Sequence, residues 1–121
     1  MSPLLEAQLA FFKCVPRLID FAVGAGYFPA AGELWRSPQQ AQWNAQHGTG
    51  IANSLHTQRL AIDIVLFGAD GSYYDGSKPE HLAAYRDLGR YWTGLDPHCC
   101  WGGDFSRPDP DHFSYTFGGV K

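Results

Sequence analysis

From Leu60 to Phe67 the chain alternates: Leu60, Ile62, Ile64 and Leu66 fall on one face, and Ala61, Asp63, Val65 and Phe67 on the other. A period of two predicts a strand with one aliphatic face against a core. Farther on, Leu82, Tyr85, Leu88 and Tyr91 or Trp92 recur at helical spacing, so a helix is expected from about Pro79 to Thr93, started by Ser77. "HFSYTF" alternates again and reads as a terminal strand.

The first quarter is helical by the same test. Ser2 before Pro3 is a cap followed by a first-turn proline, and Leu4, Leu5, Leu9 and Phe12 continue the stripe. Pro16 is expected to kink or divide it, giving two short helices or one bent one, with Leu18, Ile19, Ala22 and Val23 on the second piece and glycines at 24 and 26 ending it. Tyr27 to Arg36 reads as extended segments broken by "PAAG", and Ser37-Pro38 opens a short helix to about Asn44. "QHGTGIANS", "GADGSYYDGSKPE" and "GLDPHCCWGGDFSRPDPDH" read as loops. Helices first, then strands with one inserted helix, describe a single α+β domain with a small antiparallel sheet packed against helices.

Composition narrows the function classes. A chain of 121 residues with 45% hydrophobic, 15% aromatic and 17% charged residues makes a folded domain and not a disordered tail. A net charge of -3, with no Lys or Arg run, offers no footprint for nucleic acid. Glu6, Lys13, Arg17 and Asp20 interrupt the apolar N-terminus, so neither a signal peptide nor an integral membrane segment is expected. Cys14, Cys99 and Cys100 are an odd set with two adjacent members, which implies no disulfide framework and a reducing compartment.

The chemistry lies in dispersed polar residues. HExxH and CxxC are absent, but His56 and Asp63 flank a polar "TQR", and "PDPDH" places Asp109 three residues before His112. Two imidazoles and a carboxylate suit a catalytic Zn²⁺, which keeps its fourth position for water. On one unbroken strand His56 and Asp63 would point to opposite faces, so a bend is expected at Thr57 to Arg59. Asp109, held extended by Pro110, offers a fixed carboxylate for proton transfer. Taken singly these residues have ordinary explanations: a loop histidine, a strand-end acceptor, a surface ion pair for Arg36. Ser54 is expected to bond loop backbone or orient a ligand, Asp104 to orient a ligand imidazole, the Trp101 to Asp104 stretch to shape the cleft wall, and His47, His81 and His98 to be solvated.

"SLHTQRLAID" resembles the SxHxxGxAxD signature of the M15 zinc peptidases, and "WGGDFSRPDPDHF" resembles their second signature. The resemblance runs from about Gly26 to Phe117 and implies a Hedgehog/D-Ala-D-Ala peptidase-like fold, with a helical part at 1–25 and a catalytic core at 26–117. It implies zinc on His56, Asp63 and His112, Asp109 as catalytic base, and, from "LWRSP", Arg36 as oxyanion stabiliser. An aspartate at the base position resembles the phage endolysin branch, which cleaves the L-alanyl-D-glutamate bond of the peptidoglycan stem peptide. The expected protein is a monomer, cytoplasmic on synthesis, acting on the wall after release. Alternatives are a D,D-carboxypeptidase or dipeptidase and, from another class, a non-catalytic zinc-stabilised binding or virion-structural module. Trp35 stands where the family has tyrosine, and Arg59 where the signature has glycine. Arginine tolerates positive φ poorly, so the turn is expected to use ordinary φ at Arg59 or to lie elsewhere.

Overall fold

A computed structural model describes residues 1–51 and 53–121. Helix α1, Pro3–Gly24, begins where the Ser2 hydroxyl accepts from Leu5 N at 3.2 Å, with proline in the first turn. It runs through Pro16 as one helix, so a division there does not occur. The reason is the buried stripe of Ala7, Phe11, Cys14, Val15, Leu18 and Ala22, which continues on both sides of the exposed proline. An interior proline costs about 3 kcal/mol, whereas each large apolar side chain taken from water contributes about 1.5–3 kcal/mol, so the stripe prevails.

Strand β1, Phe28–Ala31, follows, then α2, Pro38–Gln46, which is capped by Ser37. A 3₁₀ turn at Leu55–Gln58 precedes β2, Ala61–Phe67. The short β3, Tyr73–Tyr74, helix α3, Pro79–Thr93, strand β4, Cys99–Trp101, a second 3₁₀ turn at Gly102–Asp104 and β5, His112–Tyr115, complete the order. The sheet is antiparallel, ordered β1-β2-β5-β4, with β3 also paired to β2. Strand β2 is central and has the expected faces: Leu60, Ile62, Ile64 and Leu66 are buried, and Asp63 is half-buried on the other side.

Four expectations change. "PAAG" does not break the extended segment, because β1 pairs only with β2 and an edge strand tolerates Pro29. The expected loop at 68–80 contains β3, and the long loop before β5 contains β4 and a 3₁₀ turn. Ser77 does not cap α3; Lys78 occupies that position, and the Ser77 hydroxyl donates to Asp75 at 2.7 Å. The bend before β2 lies where expected, but its backbone does not. Arg59 itself is left-handed, at φ 60° and ψ 38°, the one non-glycine residue with positive φ among the described residues.

Trp92 joins the layers. Its ring meets Phe11 of α1 at 5.8 Å and Phe113 of β5 at 6.2 Å, both edge-on, and its Nε1 donates to Ser114 O at 3.0 Å. Helix α3 approaches β4 at Gly89, where an added Cβ would lie 2.2 Å from the Trp101 ring. That ring cannot retreat, because it is buried and its Nε1 donates to Pro110 O at 2.7 Å. Gly89→Ala is therefore expected to destabilise by about 2–3 kcal/mol in urea unfolding, an overpacking cost. Gly94→Ala, whose Cβ meets nothing nearer than 3.5 Å, is the control and should stay within about 0.5 kcal/mol of wild type; equal midpoints for the two variants would contradict the tight α3–β4 contact.

Candidate active site

Sheet register makes the first half of the site. In the β2–β5 pair Asp63 stands directly opposite His112, so both side chains leave the same face. The Asp63 backbone is tied on the other side, its N–H donating to Glu33 O and its carbonyl accepting from Gly32 N, each at 2.8 Å. Gly102 lets the β5 approach close in: an added Cβ there would lie 2.3 Å from Asp109 O and 2.8 Å from the His112 Cβ.

The turn supplies His56. Ser54 Oγ accepts from His56 N at 3.2 Å, capping the 3₁₀ turn as its loop-bonding role anticipated. The imidazole is buried, with Nδ1 3.1 Å from Leu34 O and Nε2 3.3 Å from Asp63 Oδ1. A carbonyl only accepts, so Nδ1 carries a proton, and Nε2 is the nitrogen that faces the carboxylate. His112 Nδ1 lies 3.5 Å from the same Oδ1, and the two imidazole rings meet edge-on at 5.1 Å.

These distances bring charge together without completing hydrogen bonds. Asp63 Oδ1 and His112 Nε2 are buried with no aligned partner among the described residues. Burial opposes ionisation of Asp63, yet the two imidazoles, His112 first, hold its carboxyl down at about 2. Burial likewise opposes charge on His56, but Asp63, the Leu34 carbonyl and Glu33 together raise its imidazole above the ordinary value. Such a pocket attracts cations. The donor set fits zinc: three ligand atoms of His56, Asp63 and His112 lie within 4.8 Å of one another. A tetrahedron with bonds of about 2.05 Å has edges of about 3.3 Å, close to the 3.3 and 3.5 Å separations from Asp63 Oδ1.

A cleft of about 890 Å³ opens over these three residues, and Arg36, Ser54 and Asp109 also line it. Every residue singled out by the sequence for metal or catalysis thus reaches one place. Asp109 is exposed at its rim, with a carboxylate oxygen within 4.8 Å of those of Asp63 and Asp111. Its backbone is fixed by N–H donation to Gly102 O at 2.9 Å, while its carbonyl accepts from His112 N at 3.1 Å.

Two acidic residues escaped the sequence reading. Glu33 accepts from Arg36 Nε at 2.8 Å and also from Nη2, and lies 3.8 Å from His56 Nδ1, so it orients the arginine and adds negative charge behind the histidine. Asp111 is half-buried against Asp109, and burial, with the neighbouring Asp109 and Asp63 carboxylates, pushes it up to about 7. Its place in "PDPDH" was the available signal. Two other expectations fail. Asp104 lines a separate pocket with Arg86, Arg90 and Trp101 and not the cleft, whose wall on this side is Phe105 to Asp109. His81 is not solvated: it stacks on Tyr74 at 4.2 Å with its Nδ1 buried 3.6 Å from Asp75.

Comparison with known proteins agrees with this geometry. The M15-type D-alanyl-D-alanine carboxypeptidase family model matches residues 47–115, which include His56, Asp63, Asp109 and His112. The L-Ala D-Glu endopeptidase ChiX of Serratia marcescens has a similar fold, with a TM-score of 0.68 and 22% identity over 93% of this chain and 85% of that one. No curated protein is significantly similar in sequence. The family match spans more than half of the chain, which therefore belongs to the M15-type D-alanyl-D-alanine carboxypeptidase family and is a peptidoglycan peptidase, a hydrolase.

Proposed function

We propose that this peptidase is zinc-dependent and hydrolyses the L-alanyl-D-glutamate bond of the stem peptide, in the manner of a phage-type endolysin. The observation that carries the metal is the Asp63 Oδ1 atom, buried without a hydrogen-bond partner between two imidazole nitrogens. His56, Asp63 and His112 would hold the ion. When bound, zinc supplies Lewis acidity toward a carbonyl and toward water.

The remaining work falls to this chain's own groups. Asp109, exposed at the cleft rim beside Asp63, accepts the proton of the attacking water and returns it to the leaving amine. Arg36, aimed by Glu33, donates to the oxyanion that develops on the scissile carbonyl. The Asp111 carboxyl, raised by burial and by the Asp109 and Asp63 carboxylates, lies beside this base. Support for the particular bond comes from the fold shared with the Serratia endopeptidase and from the aspartate at position 109. A D,D-carboxypeptidase is the second reading, favoured by the description of the matching family. No described helix is long and apolar enough to cross a membrane; monomeric action on the wall after release from the cytoplasm is part of the proposal.

Asp109→Asn separates chemistry from assembly. Zinc content measured by atomic emission should stay near one per chain, while peptidoglycan hydrolysis falls by about 10²- to 10⁴-fold, the usual share of a general base. Full activity with asparagine would remove Asp109 from the mechanism. Chelation followed by dialysis should abolish release of new amino groups from purified peptidoglycan, and stoichiometric zinc should restore it; activity that survives verified metal depletion would overturn the zinc assignment. Mass analysis of digested muropeptides decides the bond. New D-glutamate amino termini are expected, whereas loss of a single terminal D-alanine would establish the carboxypeptidase reading instead.

A further inference from the structure

We propose that Arg59 and Trp35 form a positioning clamp that holds the Arg36 segment against the turn carrying His56. The inference deepens the zinc-peptidase reading, on which its catalytic consequence rests, but the clamp itself is a property of the folded chain.

Three observations converge on it. Arg59 occupies the left-handed region, where arginine has no stabilising local bond of the kind asparagine or aspartate makes. Its guanidinium carbon lies 5.0 Å from the centroid of the Trp35 ring, and both side chains are exposed, so the contact is a surface cation–π pair. The residue that ends the His56 turn and the residue before Arg36 therefore touch each other.

The backbone around them is already stitched at one atom. His56 O accepts from Arg36 N at 3.2 Å and from Arg59 N at 3.4 Å, while the His56 ring donates to Leu34 O at 3.1 Å. Trp35 sits between Leu34, which orients the imidazole, and Arg36, which lines the cleft. Arg59 immediately follows the turn that carries His56. A side-chain contact from 59 to 35 thus bridges the same two segments as these hydrogen bonds and resists their separation. Tyrosine at 35 would still offer a π face, and glycine at 59 would keep the turn but lose the bridge. Neither residue touches the reacting atoms; both act through His56 and Arg36.

The test compares Arg59→Gly, Trp35→Ala, their double variant and Trp35→Tyr with wild type. In metal-free protein, exchange of the Arg36 amide should quicken about fivefold in each of the first two variants relative to the Gly32 amide, and no further in the double. Trp35→Tyr should stay within about twofold of wild type. Zinc dissociation constants, measured by chelator competition, should rise about three- to tenfold in the same pattern. kcat should fall by a similar factor with KM nearly constant. Unchanged Arg36 exchange in Arg59→Gly, effects that multiply in the double variant, or Trp35→Tyr as impaired as Trp35→Ala would each overturn the clamp. The exchange result decides this without zinc or turnover; a wild type that binds no zinc would instead refute the metallopeptidase reading.

Discussion

Asp63 facing His112 across two antiparallel strands is the pair on which the site depends. A strand has a side-chain period of two, so a slip of one residue in β2 would turn Asp63 into the core and Ile64 into the cleft. The slip is prevented by packing. Leu60, Ile62, Ile64 and Leu66 are buried on one face of β2, and Phe113, next to His112, is buried against Trp92. Core energetics therefore set the separation of two proposed metal donors, and the carboxylate's charge is tolerated because imidazoles stand on two sides of it.

What could be read in the sequence follows the strength of local patterns. The alternation of β2 and the helical spacing of α3 are long enough to be unambiguous, and both elements fall where they were expected. Strand β4 has three residues and β3 two, too short for any period to emerge, and their pairing comes from neighbours distant in sequence. Pro16 does not divide α1 and Pro29 does not break β1 for one reason: a proline signals local cost, while its tolerance depends on a tertiary stripe or an open sheet edge. In the site, the sequence singled out His56, Asp63, Asp109 and His112 by motif and Arg36 by resemblance, and all five line one cleft. Glu33 and Asp111 were not singled out: the approach of Glu33 to His56 and of Asp111 to Asp63 arises only when distant chain segments come together. Arg59 was correctly located at the bend but not in its conformation, since residue preference alone argues against a left-handed arginine.

The proposed metal donors differ in how firmly they are held. Asp63 and His112 sit on paired strands in the middle of the sheet, the part of a fold that opens least. His56 belongs to a four-residue 3₁₀ turn, with poorer hydrogen-bond geometry and few ladder bonds to restrain it. A three-ligand site is only as persistent as its most mobile ligand, because losing one donor leaves a carboxylate and a single imidazole that bind zinc weakly. Pressure for order in this cleft thus falls on the turn at 55–58 and the loop beside it. There the hydrogen bonds to His56 O, the Leu34 carbonyl behind the ring and the Arg59–Trp35 contact are concentrated. Left-handed backbone at Arg59 thus falls beside the one donor that the sheet does not fix.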